Sequence, residues 1–283
     1  ILSKRSMHLP NKEAVKNLSP TAMRFPENDV MSLEMTQADI DRVVAGFAEA
    51  ARRVKDAGFD AVEIHGAHGY LIGQFRSAMT NKRTDKYGGS VENRARFGCE
   101  VIRAVRKKVG PDYPVLMRMS GTSWSEGAIS VEDSVIQAPL FVEAGLDAVD
   151  VSCGSLESYH YILPPYMVPA GFNLDAAAAI KKAVNVPVIA VGRLGTDFEL
   201  AEKALEDGKA DFIAMGRSLI ADPEIPKKLA EGREDDIVRC ISCNKCISSA
   251  VMSKYDGMAC TVNPHCMRAV SYTHLRAHET EAD

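Results

Sequence analysis

The chain has 283 residues, room for one large domain or two small ones. Hydrophobic residues make up 46% and charged residues 25%, the balance of an ordinary globular protein. A net charge of −4 argues against a nucleic-acid partner, and no apolar run approaches the ~20 residues of a membrane helix, so the expected setting is cytoplasmic, with neither nucleic acid nor membrane as partner.

The first ten residues, ILSKRSMHLP, lack both an initiator Met and the apolar centre of a signal peptide. Residues 1–35 contain no convincing strand and read as an irregular remnant. A helix is expected after Thr36, with Asp39 placed for a capping box and Ile40, Val43, Val44, Phe47, Ala51 and Val54 at helical spacing. Gly58 suits its left-handed end. The apolar run AVEIH follows, and then the pattern repeats. Ser90 caps a helix that ends near Gly110, before VLMRMS. Ser130, with Asp133, opens one that ends at Gly145, before AVDVS. Asn173 opens a helix before PVIAVG, and Thr196 opens one that ends at Gly208, before FIAMG.

Short, almost wholly apolar strands alternating with amphipathic helices require a parallel sheet covered on both faces. An open doubly wound sheet and a (β/α)8 TIM barrel both satisfy this. The barrel fits better, because the polar residues fall at strand ends: His65 and His68 after the first visible strand, Arg118 in the second, Cys153 after the third, Arg193 after the fourth and Arg217 after the fifth. Five strands are visible where a barrel needs eight. An N-terminally truncated barrel over residues 36–232 is therefore expected, with about three earlier units missing.

VGRLGTDFEL and MGRSLIADPE each place a Gly-Arg pair directly after an apolar strand. Glycine lets a ligand approach the backbone, a helix start offers free N–H groups, and arginine clamps an oxyanion. Gly192, Arg193, Gly216 and Arg217 thus form a candidate phosphate cradle; two tight turns with solvated arginines are the alternative. Cys240, Cys243, Cys246 and Cys260 follow in a segment spanning 233–268, with the spacing C-x2-C-x2-C-x13-C. Four thiolates suit a [4Fe–4S] cluster or a structural zinc, and the spacing alone leaves both open.

The run GFDAVEIHGAHGYLIGQF, followed by TNKRTDKYGGSVENRARF, resembles the old yellow enzyme family of flavin oxidoreductases. The likeness extends from about Met35 to Pro264 and takes in RMSG, AVDVSCGSLESYHYILPPY, both Gly-Arg turns and the cysteines. It implies a (β/α)8 barrel holding FMN at its C-terminal mouth. The cysteine-bearing branch implies a [4Fe–4S] cluster at Cys240, Cys243, Cys246 and Cys260, with FAD and NAD(P)H bound in further C-terminal domains. His65 and His68 match the pair that grips the substrate's carbonyl or carboxylate, Tyr70 the proton donor, and Arg118 the arginine beside the flavin. Gly192–Arg193 and Gly216–Arg217 match the phosphate turns. The implied activity is reduction of an activated C=C bond in a small unsaturated carbonyl or carboxylate compound: an enoate, an enone or a 3-oxo-Δ4 steroid. A dienoyl-CoA reductase or an amine dehydrogenase of the same family is the alternative, and a homo-oligomer is compatible with either. A non-catalytic, zinc-stabilised barrel module is the reading from another class.

Three smaller expectations complete the set. KRTDKYGG reads as a structural loop, Cys99 and Cys153 as packing residues, and Tyr159, His160 and Tyr161 either as pocket wall or as solvent-facing loop. Residues 269–283 have no apolar period, resemble translated sequencing-adapter read-through, and are set aside as a non-native tail.

Overall fold

In the computed structural model, residues 17–25, 30–252 and 257–267 are described. Residues 1–16 and the tail 269–283 lie outside them. Before the first helix the strands among the described residues are two residues long. Leu18–Ser19 pairs in parallel with Leu33–Glu34, and Arg24–Phe25 antiparallel with Val30–Met31. Neither pair joins the main sheet, as expected of a segment with no sustained apolar run.

The main sheet has five strands in consecutive order: β1 (Val62–Gly66), β2 (Val115–Ser120), β3 (Ala148–Ser152), β4 (Val188–Ala190) and β5 (Phe212–Ile213). The pairings from β1 to β4 are parallel. The intervening helices are α1 (Gln37–Asp56), α2 (Leu71–Arg76), α3 (Val91–Val109), α4 (Val131–Glu143), α5 (Leu174–Ala183) and α6 (Phe198–Glu206).

Local chemistry sets the boundaries. Thr36 and Asp39 close a full capping box on α1, and Gly58 takes the left-handed conformation just beyond its end. Ser90 and Ser130 accept the backbone N–H three residues on, at Asn93 and Asp133. One start differs from expectation. Thr196 ends a short 3₁₀ turn, Leu194–Thr196, and Asp197 accepts the Leu200 N–H to open α6 instead. An aspartate is the stronger capping acceptor, so the helix begins one residue later than the threonine suggests.

The chain divides into two compact units. The first comprises Ile1–Ile162, Asn173–Ala190 and Leu205–Phe212; the second comprises Leu163–Phe172, Val191–Ala204 and Ile213–Asp283. In the first, the apolar core lies between the sheet and its helices. Val115, Met117, Met119, Val149, Val151 and Val188 point out of one face of the sheet and are fully buried, as are Phe97, Val101, Ile102 and Phe141 on α3 and α4. The KRTDKYGG loop is structural. Arg83 donates to the Pro20 and Met35 carbonyls, Asn81 bridges the Phe75 and Tyr87 carbonyls, and Tyr87 is buried.

Helix α3 meets α4 at Gly98, where an added Cβ would stand 2.8 Å from Phe141 Cε1. Gly98→Ala should therefore lower stability by about 1–3 kcal/mol through overpacking. Helix propensity alone would raise it by about 1 kcal/mol. The urea midpoint gives the sign, and a rise would contradict this packing.

Candidate active site

Parallel register lines up His65 of β1, Arg118 of β2 and Asp150 of β3 in one row across the sheet. Side chains alternate along a strand, so Glu63, Ser120 and Ser152 share that face. The opposite face is the apolar core. One face of this sheet thus carries the charge and the hydrogen-bonding groups, and the other carries the packing.

The β1–α2 loop brings two further rings to the row. His68 has left-handed backbone, φ 61°. Its N–H donates to Ser120 Oγ at 3.0 Å, and its ring Nε2 lies 2.7 Å from Ser152 Oγ. Arg118 Nη2 donates to the same Ser152 oxygen at 3.3 Å. Arginine only donates, so the serine proton is free to go to His68 Nε2, and a neutral His68 then keeps its own proton on Nδ1. The His65 ring centroid lies 5.1 Å from that of His68 and 5.1 Å from that of Tyr70. His65 and Tyr70 are exposed, His68 half-buried.

The electrostatics keep both imidazoles neutral. Burial, then the Arg118 charge, then His65 hold His68 down to about 3. Burial and Arg118 lower His65 as well. A neutral imidazole with an N–H is a hydrogen-bond donor that need not lose a proton to do its work. Arg118 pairs with Asp150 at 3.1 Å. Burial raises the Asp150 carboxyl, and burial with the Asp150 charge raises Glu63, which shares a hydrogen bond with it. Arg118 Nε and Asp150 Oδ1 are buried without a hydrogen-bond partner among the described residues.

The loops after β2 and β3 add aromatic surface. Trp124, itself left-handed at φ 53°, stacks on Tyr161 at 5.0 Å, and His160 lies 4.2 Å from Tyr161. Tyr159 is exposed. Cys99 and Cys153 are buried; Cys153 lies against the Tyr161 carbonyl, and burial pushes its thiol up to about 12, leaving an inert packing group.

The second unit holds the other expected groups. Its two Gly-Arg turns lie side by side: a Cβ on Gly195 would stand 2.4 Å from Ser218 Oγ. A short helix α7 (Arg217–Ala221) follows the second turn. The arginine side chains are engaged with protein. Arg193 donates to the Tyr166 and Val168 carbonyls and to Ser242 Oγ at 3.1 Å. Arg217 donates to the Pro164 carbonyl at 2.8 Å and to Asn244 Oδ1. Cys240, Cys243, Cys246 and Cys260 line one small cavity, and Arg217 forms part of its wall. The Thr261 hydroxyl lowers the Cys243 thiol, whereas burial raises Cys246. Among the described residues no group of three or more His, Cys, Asp or Glu side chains converges as for a single metal ion.

Sequence reasoning did not single out Glu63, Asp150, Ser120 or Ser152. An aspartate inside the otherwise apolar run AVDVS was the available signal for the second. The serines, small and at strand ends, gave none.

Comparison with known proteins adds an independent line. The family model described as NADH:flavin oxidoreductase / NADH oxidase matches residues 6–236. A protein named NADH oxidase from Thermoanaerobacter brockii is 46% identical over 93% of this chain, and a cinnamate reductase from Clostridium sporogenes is 39% identical over 84% of it. Among solved structures, a complex of 2-naphthoyl-CoA reductase with 2-naphthoyl-CoA superposes on 89% of this chain with a TM-score of 0.83 and 38% identity. The chain spans 40%, 38% and 38% of these proteins, respectively.

An unfolded histidine titrates near 6.5, while folded His68 is held near 3. As pH falls through that interval the unfolded state takes up a proton that the folded state refuses. The stability is complete above about 6.5 and is lost on acidification, by about 2 kcal/mol at pH 5. His68→Asn should flatten the fall in urea midpoint between pH 6.5 and 5; a profile parallel to the parent would contradict the assignment.

Proposed function

The chain belongs to the NADH:flavin oxidoreductase / NADH oxidase family, and from that premise we propose that it is the FMN-binding, substrate-reducing part of an enzyme that reduces a C=C bond conjugated to a carbonyl or carboxylate. The observation that carries this reading is the cluster of His65, His68 and Tyr70 beside Arg118, whose buried Nε has no partner. A cinnamate reductase among the relatives, and a solved structure holding 2-naphthoyl-CoA, are consistent with conjugated carbonyl substrates. Enoates, enones and 3-oxo-Δ4 steroids share that chemistry.

Arg118 is proposed for the flavin ring, and Gly192–Arg193 and Gly216–Arg217 for the phosphate. Because both turn arginines already bond protein carbonyls, backbone N–H groups of the turns would take the larger share of the phosphate. When bound, FMN would supply hydride for the β-carbon, with NAD(P)H as the electron source, and FAD and the cysteine-held cluster would be the carriers between them.

The chain's own residues do the remainder. As the β-carbon gains hydride, negative charge collects on the substrate oxygen. His65 and His68, neutral and donating, stabilise that charge as an oxyanion hole does. Neutrality matters here: a neutral imidazole lends a hydrogen bond without giving up its proton. Tyr70, held against His65, delivers the proton to the α-carbon as general acid. The Arg118 charge favours electron density on the ring system beside it.

The four cysteines are proposed to hold a [4Fe–4S] cluster. They line one small cavity, and four thiolates suit such a cluster, with a structural zinc as the alternative.

Tyr70→Phe in the full-length, flavin-loaded protein should leave FMN bound and slow reduction of an unsaturated acid by roughly 10²–10⁴-fold. Stopped-flow reoxidation of the reduced protein by cinnamate measures this, and an unchanged rate would remove Tyr70 from the mechanism. Anaerobically purified protein should contain about four irons per chain, lost on Cys246→Ser; one zinc and no iron would overturn the cluster.

A further inference from the structure

Arg76 closes α2 and is completely buried. It is the bulkiest of the fully buried side chains among the described residues. A guanidinium so placed normally bonds a carboxylate, yet every hydrogen bond of this one goes to a neutral oxygen, and its carbon lies 5.8 Å from the centroid of the Phe141 ring. Nε donates to Gln137 Oε1 at 2.8 Å, Nη1 to the Gly66 carbonyl at 3.3 Å, and Nη2 to the Ser120 carbonyl and Ser134 Oγ, both at 3.1 Å. The neighbouring carboxylate, Asp133, is engaged by Arg94 at 3.0 Å. Burial pulls the Arg76 guanidinium down to about 9, a departure that reflects how costly the position is.

Two of those oxygens matter for the site. Gly66 is the last residue of β1, and His68 and Tyr70 lie on the segment between Gly66 and Arg76. The guanidinium therefore ties the end of that segment back to its beginning. Ser120 is the last residue of β2, and its hydroxyl receives the His68 N–H. One rigid, planar group thus fixes the base of the loop and the serine that holds His68 in left-handed backbone. A lysine at this position would keep the charge but could not span both carbonyls and α4 from one planar fork.

We propose that Arg76 is a positioning residue for His68 and Tyr70: it does not touch substrate, and it fixes where these two rings stand by joining the ends of β1 and β2. The proposal rests on the reading of those rings as the substrate's oxygen grip and proton source.

The test compares wild type, Arg76→Lys, Ser120→Ala and the double variant, each as the full-length, flavin-loaded protein. Hydrogen exchange at the His68 amide reads the position directly, and the Kd for the saturated acid 3-phenylpropanoate reads its consequence. Arg76→Lys should speed exchange at residues 66–70 while leaving α1 and α3 protected, and should raise the Kd by on the order of tenfold or more. The double variant should be no worse than the poorer single one, because both changes break one chain of contacts. Native exchange at His68, a wild-type Kd, or effects that simply multiply would each overturn the proposal. If Arg76→Lys does not fold, Gln137→Leu, which removes the acceptor of Arg76 Nε and leaves the His68 contacts intact, decides: faster exchange at His68 supports the proposal, and unchanged exchange overturns it. A wild-type protein that neither binds 3-phenylpropanoate nor reduces cinnamate would overturn the functional reading instead, and His68 exchange would still judge Arg76.

Discussion

The alignment of His65, Arg118 and Asp150 across three parallel strands is the constraint on which the site depends. Parallel pairing fixes it with no freedom of one residue, because a slip would turn every polar group of a strand into the packed face. That face is filled by Met117, Met119, Val149 and Val151, all fully buried. The packing of the apolar side therefore positions the chemistry on the polar side. A charged row on the inner face is costly unless its members satisfy one another, and here they do so in part. Arg118 binds Asp150 and Ser152, Ser152 meets His68, and Asp150 meets Glu63. Arg118 Nε and Asp150 Oδ1 stay buried without a hydrogen-bond partner among the described residues.

Much of this was legible in the sequence. Alternation of apolar runs with capped helices gave the parallel sheet and nearly all its boundaries, because capping by Thr36, Ser90 and Ser130 is a local matter that neighbours three residues apart decide. His65, His68, Tyr70 and Arg118 stood out as polar groups at the ends of apolar strands, and the resemblance supplied their roles. Ser120 and Ser152 did not stand out. Their importance comes from strand register, which joins residues 52 and 84 positions away from His68. Arg76 was invisible for the same reason: nothing near it in the chain shows that its partners are two strand-end carbonyls and α4. The α6 start was misplaced because Thr196 and Asp197 are adjacent and both able to cap, and only the backbone path of the preceding turn separates them.

The second unit shows how one residue type serves two settings. The Gly-Arg turns read as phosphate binders when only the chain is seen. Folded, Arg193 and Arg217 hold the 163–168 segment and the cysteine-rich stretch in place, and Arg217 borders the cavity that the four cysteines line. Burial lowers the Arg217 guanidinium and the neighbouring cysteines offset this only in part, so the residue proposed for phosphate also borders the cysteine cavity. The glycines keep their own reason for being there, since the turns approach so closely that a side chain at Gly195 would collide with Ser218.

The central claim is that His65 and His68 face the flavin and grip the substrate's oxygen. Titrating the flavin-loaded, full-length protein with 3-phenylpropanoate, while following the visible flavin band, tests it most directly. The account predicts a saturable spectral change in the parent that is abolished by His65→Ala combined with His68→Ala, with FMN still bound. The same change at the same concentrations in that double variant would contradict it.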